Sequence, residues 1–273
     1  METASIPALI DLVNKLLREC NTRLKDAHQQ EWLFIGEDFD KAGIPTAQTE
    51  TLFLRFGNIF HDLETHLIFT IPINLVYSDR ASQLAFAGDR IHSIVDTPVF
   101  EKDHTPNHAG RQAVEAVLEK RMASDLFGDG QKTRLIVASG GNLRDLFKLV
   151  SDAVDHAILR EALDKKIAAE DADSAINALR IEYLRRLGES VFDEEQAVTI
   201  TYAQKAERLL EVYGNAQKPT VSDAVLYSLL RARAVQEFNT EGWYGVHPLV
   251  VDILQRQEKL LPDSDGKVLG GTR

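Results

Sequence analysis

The sequence predicts an α/β region followed by an all-α region and a short two-stranded ribbon, and three observations carry that reading. Two short apolar runs, Trp32-Leu-Phe-Ile35 and His66-Leu-Ile-Phe-Thr-Ile71, have the length and continuity of strands covered on both faces of a parallel sheet. Helix-period segments precede and separate them, the rhythm of parallel strands joined by crossovers. From about Asn107 helical periodicity takes over and holds to Leu187.

Composition narrows the classes. A chain of 273 residues with 44% hydrophobic residues has ample length for a buried core. Its formal charge of -11, without a long Lys/Arg block, lacks the electrostatic footprint of nonspecific nucleic-acid binding, so nucleic acid could be met only through a local patch. The single cysteine, Cys20, excludes an intrachain disulfide and a CxxC zinc site and fits a reducing compartment, so the cytoplasm is the expected location. No apolar run approaches the length of a bilayer span, and the N-terminus lacks the layout of a signal peptide, so no membrane association is expected.

The elements follow in order. Between Ile6 and His28, Leu9, Val13, Leu16, Cys20 and Leu24 recur three or four apart and predict one inward stripe on a helix. The first strand then runs into Glu37-Asp38-Phe39-Asp40-Lys41, and Gly43 and Pro45 mark a loop. A helix over 48–61 should turn Leu52, Phe53, Phe56, Ile59 and Phe60 inward; the second strand ends near Pro72, which has no ladder donor. Arg90-Ile-His-Ser-Ile-Val95 is a third strand candidate, giving about three strands in all. Helices are expected at 108–124, 131–138, 142–163 and 174–187, with Asn142 as an N-cap after Ser139-Gly140-Gly141 and Gly188 as a C-cap.

Two short helices at 201–213 and 222–233 lead to strands at 234–238 and 243–247 around a turn at Asn239–Gly242, and Pro248 opens a closing helix. That is the order of a winged helix. Between Ser222 and Arg256 three bases (Arg231, Arg233, Arg256) face four acids (Asp223, Glu237, Glu241, Asp252), a balance better suited to protein than to DNA. The Gly-, Asp- and Ser-rich tail from Pro262 is expected to be disordered. The resulting domains are 1–104 for the α/β part, 105–190 for the connecting helices, 191–260 for the winged-helix-like part and 261–273 for the tail.

Ligands of parallel sheets bind beyond the carboxyl ends of the strands. The acids after Gly36 could therefore hold Mg²⁺ and orient water, or simply cap the next helix. Leu33-Phe-Ile-Gly-Glu-Asp-Phe-Asp-Lys41 resembles the Walker B segment of AAA+ and related STAND-type P-loop ATPases. The resemblance implies Glu37 as the Mg²⁺-holding acid, where the family more often has Asp, Asp38 as the acid that orients the attacking water, and Asp40 as a supporting acid. Leu67-Ile-Phe-Thr-Ile-Pro72 is similar to the strand that ends at sensor 1, implying Thr70, with Asn74 second, as the group that feels the γ-phosphate. Thr70 can equally be read as a β-former at a strand end. Ser139-Gly-Gly-Asn-Leu-Arg-Asp-Leu146 resembles the start of the lid helix with its sensor-2 arginine, which places Arg144 over the phosphates. Gly242-Trp-Tyr-Gly-Val-His-Pro-Leu249 resembles a C-terminal winged helix of such proteins, so the likeness spans roughly 31–255.

One part of the family pattern is missing. The only Gly-Lys pair, Gly266-Lys267, precedes Val268 in the tail, so no Gly-x-x-x-x-Gly-Lys-Ser/Thr phosphate cradle occurs. The resemblance thus implies a partial P-loop core with helical lid and winged helix: the C-terminal part of an ATPase that binds ATP and Mg²⁺ only if another chain supplies the loop. A protein partner or homo-oligomer is expected on the same ground, since the absent strand would leave two unpaired edges. The alternative is a non-enzymatic adaptor that uses the winged helix; specific DNA binding through Arg231 and Arg233 is a third reading. Arg80 and Arg90 are the candidates for an arginine finger, and His104 and His108, four apart across Pro106, read as a loop rather than a metal pair.

Overall fold

The computed structural model describes residues 5–39, 46–76, 80–86, 91–161, 166–193, 198–214, 223–238 and 243–260. The chain divides into two compact units, Met1–His92 and Ser93–Arg273.

In the first unit α1 spans Ile6–His28, with Pro7 in its first turn and Gln29 turning left-handed to donate its N–H to the Lys25 carbonyl. The bounds match the sequence reading and the inward face does not. Asn14 and Leu17 are buried, while Leu9, Leu16 and Cys20 stay exposed. Asn14 sets this orientation: its Nδ2 donates to the Asp62 carbonyl at 2.7 Å and its Oδ1 accepts the Glu64 N–H at 2.9 Å. A two-bond amide anchor outranks the leucine stripe in choosing the face.

Strand β1, Leu33–Gly36, pairs in parallel with β2, His66–Phe69, in the register Leu33↔His66 through Gly36↔Phe69. Between them α2, Thr46–Glu50, passes into a π-helical turn at Thr51–Arg55 and a 3-10 turn at Gly57–Asp62, where the periodicity predicts one helix. The altered winding leaves Phe56 exposed and brings Phe53 and Phe60 onto Phe69, with ring centroids 5.7 and 4.7 Å apart. After β2 comes α3, Ile73–Val76. Phe53, Leu75 and Leu84 are the buried centre, with Phe39, Phe60, Phe69, Ile71 and Ile91 packed around it.

Two expectations about the sheet fail here. Residues 91–95 form no strand and Arg90 lies outside the described residues, so the sheet has two strands among those described. Ile94 stands in the open, so this run does not bury the apolar alternation a third strand would need. Nor is β1 covered on both faces: Leu33, Phe34, Ile35 and, on β2, Ile68 are exposed. Registered neighbours of a parallel pair share a face, so Leu33, Ile35 and Ile68 lie together. Ile35 is 56% and Ile68 51% exposed.

The second unit is helical with two antiparallel ribbons. Its elements are α4 (His108–Glu119), α5 (Gln131–Ala138), α6 (Leu143–Leu159), α7 (Ala169–Arg186), β3 (Ser190–Asp193), β4 (Val198–Ile200), α8 (Tyr202–Gly214), α9 (Ala224–Arg231), β5 (Val235–Glu237), β6 (Tyr244–Val246) and α10 (Pro248–Arg256). The antiparallel hairpin of β3 and β4 was not expected from the sequence. Helix α7 starts five residues early because Asp171 accepts the Ala168 N–H at 2.8 Å and pairs with Arg160 at 2.7 Å, which holds its carboxyl below the usual carboxylate range. Along α6 and α7, Leu146, Leu149 and Ala153 meet the small face Ala172, Ala175, Ile176 and Leu179, all buried. From α8, Lys205 is fully buried and donates to the Gly188 carbonyl at 2.5 Å, with burial lowering its pKa. The Asn239–Gly242 turn and the tail from 261 lie outside the described residues.

Candidate functional site

At the carboxyl end of the small sheet the Thr70 N–H donates to the Gly36 carbonyl at 3.0 Å, carrying the ladder one residue past β2. Continued register sets Glu37 beside Thr70, and both are exposed. Asp38 then adopts φ 74°, a left-handed conformation that Asp tolerates better than most residues. The turn returns Phe39 to the core, edge-on to Phe53 at 5.2 Å and to Phe69 at 6.0 Å. Gly36 makes room for this packing, because a Cβ there would meet the Phe69 ring at 2.5 Å. Phe39 thus pins the acid turn at the sheet edge.

Glu37 and Asp38 follow β1 and Thr70 follows β2, so all three come after the carboxyl ends of the paired strands. Asp40 lies outside the described residues, as do the side chain of Asn74 in α3 and all of Arg90. Arg80 pairs with Glu50 at 3.0 Å. Among the described residues no group of three or more His, Cys, Asp or Glu is placed to hold a metal. A single exposed carboxylate beside a hydroxyl still fits Mg²⁺, which keeps most of its waters and takes one or two carboxylates plus substrate phosphates. His104 stacks on Tyr213 at 4.0 Å and its Nε2 lies 3.1 Å from the Tyr213 carbonyl, so it serves a loop contact.

Arg144 belongs to the second unit, exposed in the first turn of α6. Asn142 caps that helix as the sequence predicts, its Oδ1 accepting the Asp145 N–H at 3.0 Å. The two glycines before it are both left-handed, Gly140 at φ 62° and Gly141 at φ 81°. A Cβ on Gly141 would be driven into the Thr97 carbonyl, and one on Gly140 would meet Gln236, His247 and Pro248 at 2.7 to 2.9 Å. Each glycine is therefore required by a different neighbour.

Around this turn lies a buried polar cluster that sequence reasoning missed. The Asp145 carboxylate accepts the Tyr183 hydroxyl at 2.6 Å, and burial with that nearby charge drives the Tyr183 pKa well up. His247 accepts the Leu249 N–H on Nδ1 at 3.2 Å, so its ring proton sits on Nε2 and is donated to the Ser139 carbonyl at 3.1 Å. Complete burial pulls its pKa down to about 4, against the attraction of Asp145. Asp96 accepts from Asn142 Nδ2 at 2.9 Å and Gln236 Nε2 at 2.6 Å, while burial raises its carboxyl above the usual range. The only local signals were His247 before Pro248 and the polar Gln236 in an alternating strand.

No protein-family model, curated protein or solved structure matches the chain.

Proposed function

We propose that the chain is the Walker B, sensor and lid portion of an AAA+/STAND-like P-loop ATPase, completed by a partner chain that supplies the phosphate-binding loop. The observation that supports this reading is the parallel pairing of β1 with β2, whose carboxyl ends Glu37, Asp38 and Thr70 follow in the sequence. Glu37 is the acid that would hold Mg²⁺, which when bound neutralises charge on the phosphate oxygens. Asp38 accepts a hydrogen bond from the attacking water and orients it. The Thr70 hydroxyl donates to the γ-phosphate, and Arg144 offers its planar fork of donors to the transition-state charge. The order α8, α9, β5, β6, α10 supports a winged helix as the interaction module. The bare face of Leu33, Ile35 and Ile68 supports a partner, since a monomer rarely leaves strand residues so uncovered.

The test is reconstitution. Neighbouring reading frames are searched for a chain ending in Gly-x-x-x-x-Gly-Lys-Ser/Thr, and that chain is co-expressed with this one. Mg-ATP turnover is expected only in the assembly, with a loss of about 10²-fold or more in Asp38→Asn and Arg144→Ala. Turnover by this chain alone would remove the need for a partner loop, and full activity in both variants would overturn the ATPase reading. The alternative is an adaptor acting through α8–α10, the helix, ribbon and helix order of the C-terminal segment. It predicts that Glu37→Gln and Arg144→Ala leave every property of the assembly unchanged.

A further inference from the structure

The last carbonyls of a helix have no partner within it. Just past the end of α5 two carbonyls draw on distant side chains: His247 Nε2 donates at 3.1 Å to the Ser139 carbonyl, which also accepts the Asn142 N–H at 3.0 Å, and Gln236 Nε2 donates to Gly140 at 3.3 Å. Both side chains come from the C-terminal segment, Gln236 in β5 and His247 just before α10. The second N–H of Gln236 goes to Asp96. Its buried Oε1 has no hydrogen-bond partner among the described residues, so the amide's two donor bonds choose its orientation. Asp96, which can only accept, takes the Nδ2 of Asn142 and thereby turns the Oδ1 of Asn142 towards the Asp145 N–H. A continuous path of hydrogen bonds thus runs from β5 and α10 to the first turn of α6, where Arg144 sits.

We infer that the β5–β6–α10 segment is a lock on the arginine-bearing turn, with Gln236, His247 and Asp96 as positioning residues for Arg144. The path also meets the second half of α7, where the His247 ring stacks on Tyr183 at 4.3 Å and Asp252 of α10 pairs with Arg180 at 2.6 Å; the first half of α7, with Ala172 and Ala175 buried, lies beyond these contacts. Arg144 is presented in one orientation only while β5 and α10 are seated. The importance of Arg144 rests on the ATPase reading; the lock itself does not.

Amide hydrogen exchange on the full chain tests the lock without any nucleotide. His247→Leu fills the space but has no donor, whereas His247→Gln keeps a donor for the Ser139 carbonyl. The leucine variant is expected to speed exchange at amides 140–146 about tenfold or more, with the amides of the first half of α7, before the Tyr183 contact, unchanged, and the glutamine variant to return close to the wild-type rate. Gln236→Ala should reproduce the leucine result. Equal exchange in the two His247 variants, or a uniform rise through α6 and α7, would overturn the lock. Mg-ATP turnover of the reconstituted assembly separates the two proposals. If it falls in Arg144→Ala and His247→Leu and recovers in His247→Gln, both stand. No turnover by the assembly, or a normal rate in both Asp38→Asn and Arg144→Ala, with the exchange pattern intact leaves the lock standing and removes the ATPase reading alone.

Discussion

In Met1–His92 the strands keep Leu33, Phe34, Ile35 and Ile68 in the open, whereas in Ser93–Arg273 even Asp145, Lys205 and His247 are withdrawn from water. The first unit has one small aromatic-rich centre, and its helix α1 turns Leu9, Leu12 and Leu16 outward. The second closes a helical core around a polar cluster whose buried groups are largely hydrogen-bonded among the described residues, Gln236 Oε1 excepted. Burial is worth about 25 cal/mol per Å² of apolar surface, so each half-covered Leu or Ile forgoes roughly 1 kcal/mol. The contrast teaches that the first unit has more apolar surface than its own described residues cover, while the second is nearly self-sufficient.

Three measurements would sharpen or break that contrast. The largest effect is expected at Gly141, where alanine combines a left-handed backbone with a collision against Thr97. Gly141→Ala should cost about 3 kcal/mol or more, a fall in melting temperature on the order of 10 °C by circular dichroism. An unchanged melting point would mean that the turn is not rigidly packed. Next is acid. His247 has its folded pKa depressed to about 4 from an ordinary value near 6.5, so between these values the unfolded chain binds the extra proton. Stability must therefore fall as pH drops from about 6.5 to about 4, by roughly 3 kcal/mol. Urea unfolding across that range should show the slope in the wild type and lose it in His247→Gln; an identical slope in both would assign the acid loss elsewhere. Asp96 works in the opposite sense, since its raised folded pKa makes stability fall as pH rises just above the usual carboxylate range. The smallest effect belongs to the first unit. Ile35→Thr with Ile68→Thr should change monomer stability by less than about 1 kcal/mol while weakening any association seen by sedimentation. A large loss of stability would show that this face is already covered.

What could be read in the sequence was local. The bounds of α1 and α5, the cap at Asn142, the start of α10 at Pro248 and the positions of β1 and β2 depend on neighbours a few residues away, and the structure has them where the pattern places them. The misses arise from distant contacts. The inward face of α1 is chosen by Asn14 binding residues near 62–64, and the start of α7 by Arg160 across a loop. Phe56 turns outward because the winding changes around Gly57, which helical periodicity cannot anticipate. Continuous apolarity in β1 was read as burial on both faces, an inference that presumes neighbours the described sheet does not have. Glu37, Asp38 and Thr70 could be placed after strand ends from local pattern alone; Asp96 carried no local signal, Gln236 and His247 only faint ones, and the partners of all three lie far along the chain.

The Asp96–Gln236 bond joins residues 140 positions apart, and the His247–Ser139 bond spans 108. Contacts so distant along the chain pay their loop-closure entropy before they return any stabilisation, and they belong to the late stages of folding. During synthesis α5 and α6 can form and pack on α7 well before residue 235 leaves the ribosome. The turn that carries Arg144 then receives its last two partners after almost all of the unit is in place. A chain interrupted upstream of β5 would keep the bonds of Asn142 to Ser139 and Asp96 within the turn but lack the two that arrive last, from Gln236 and His247.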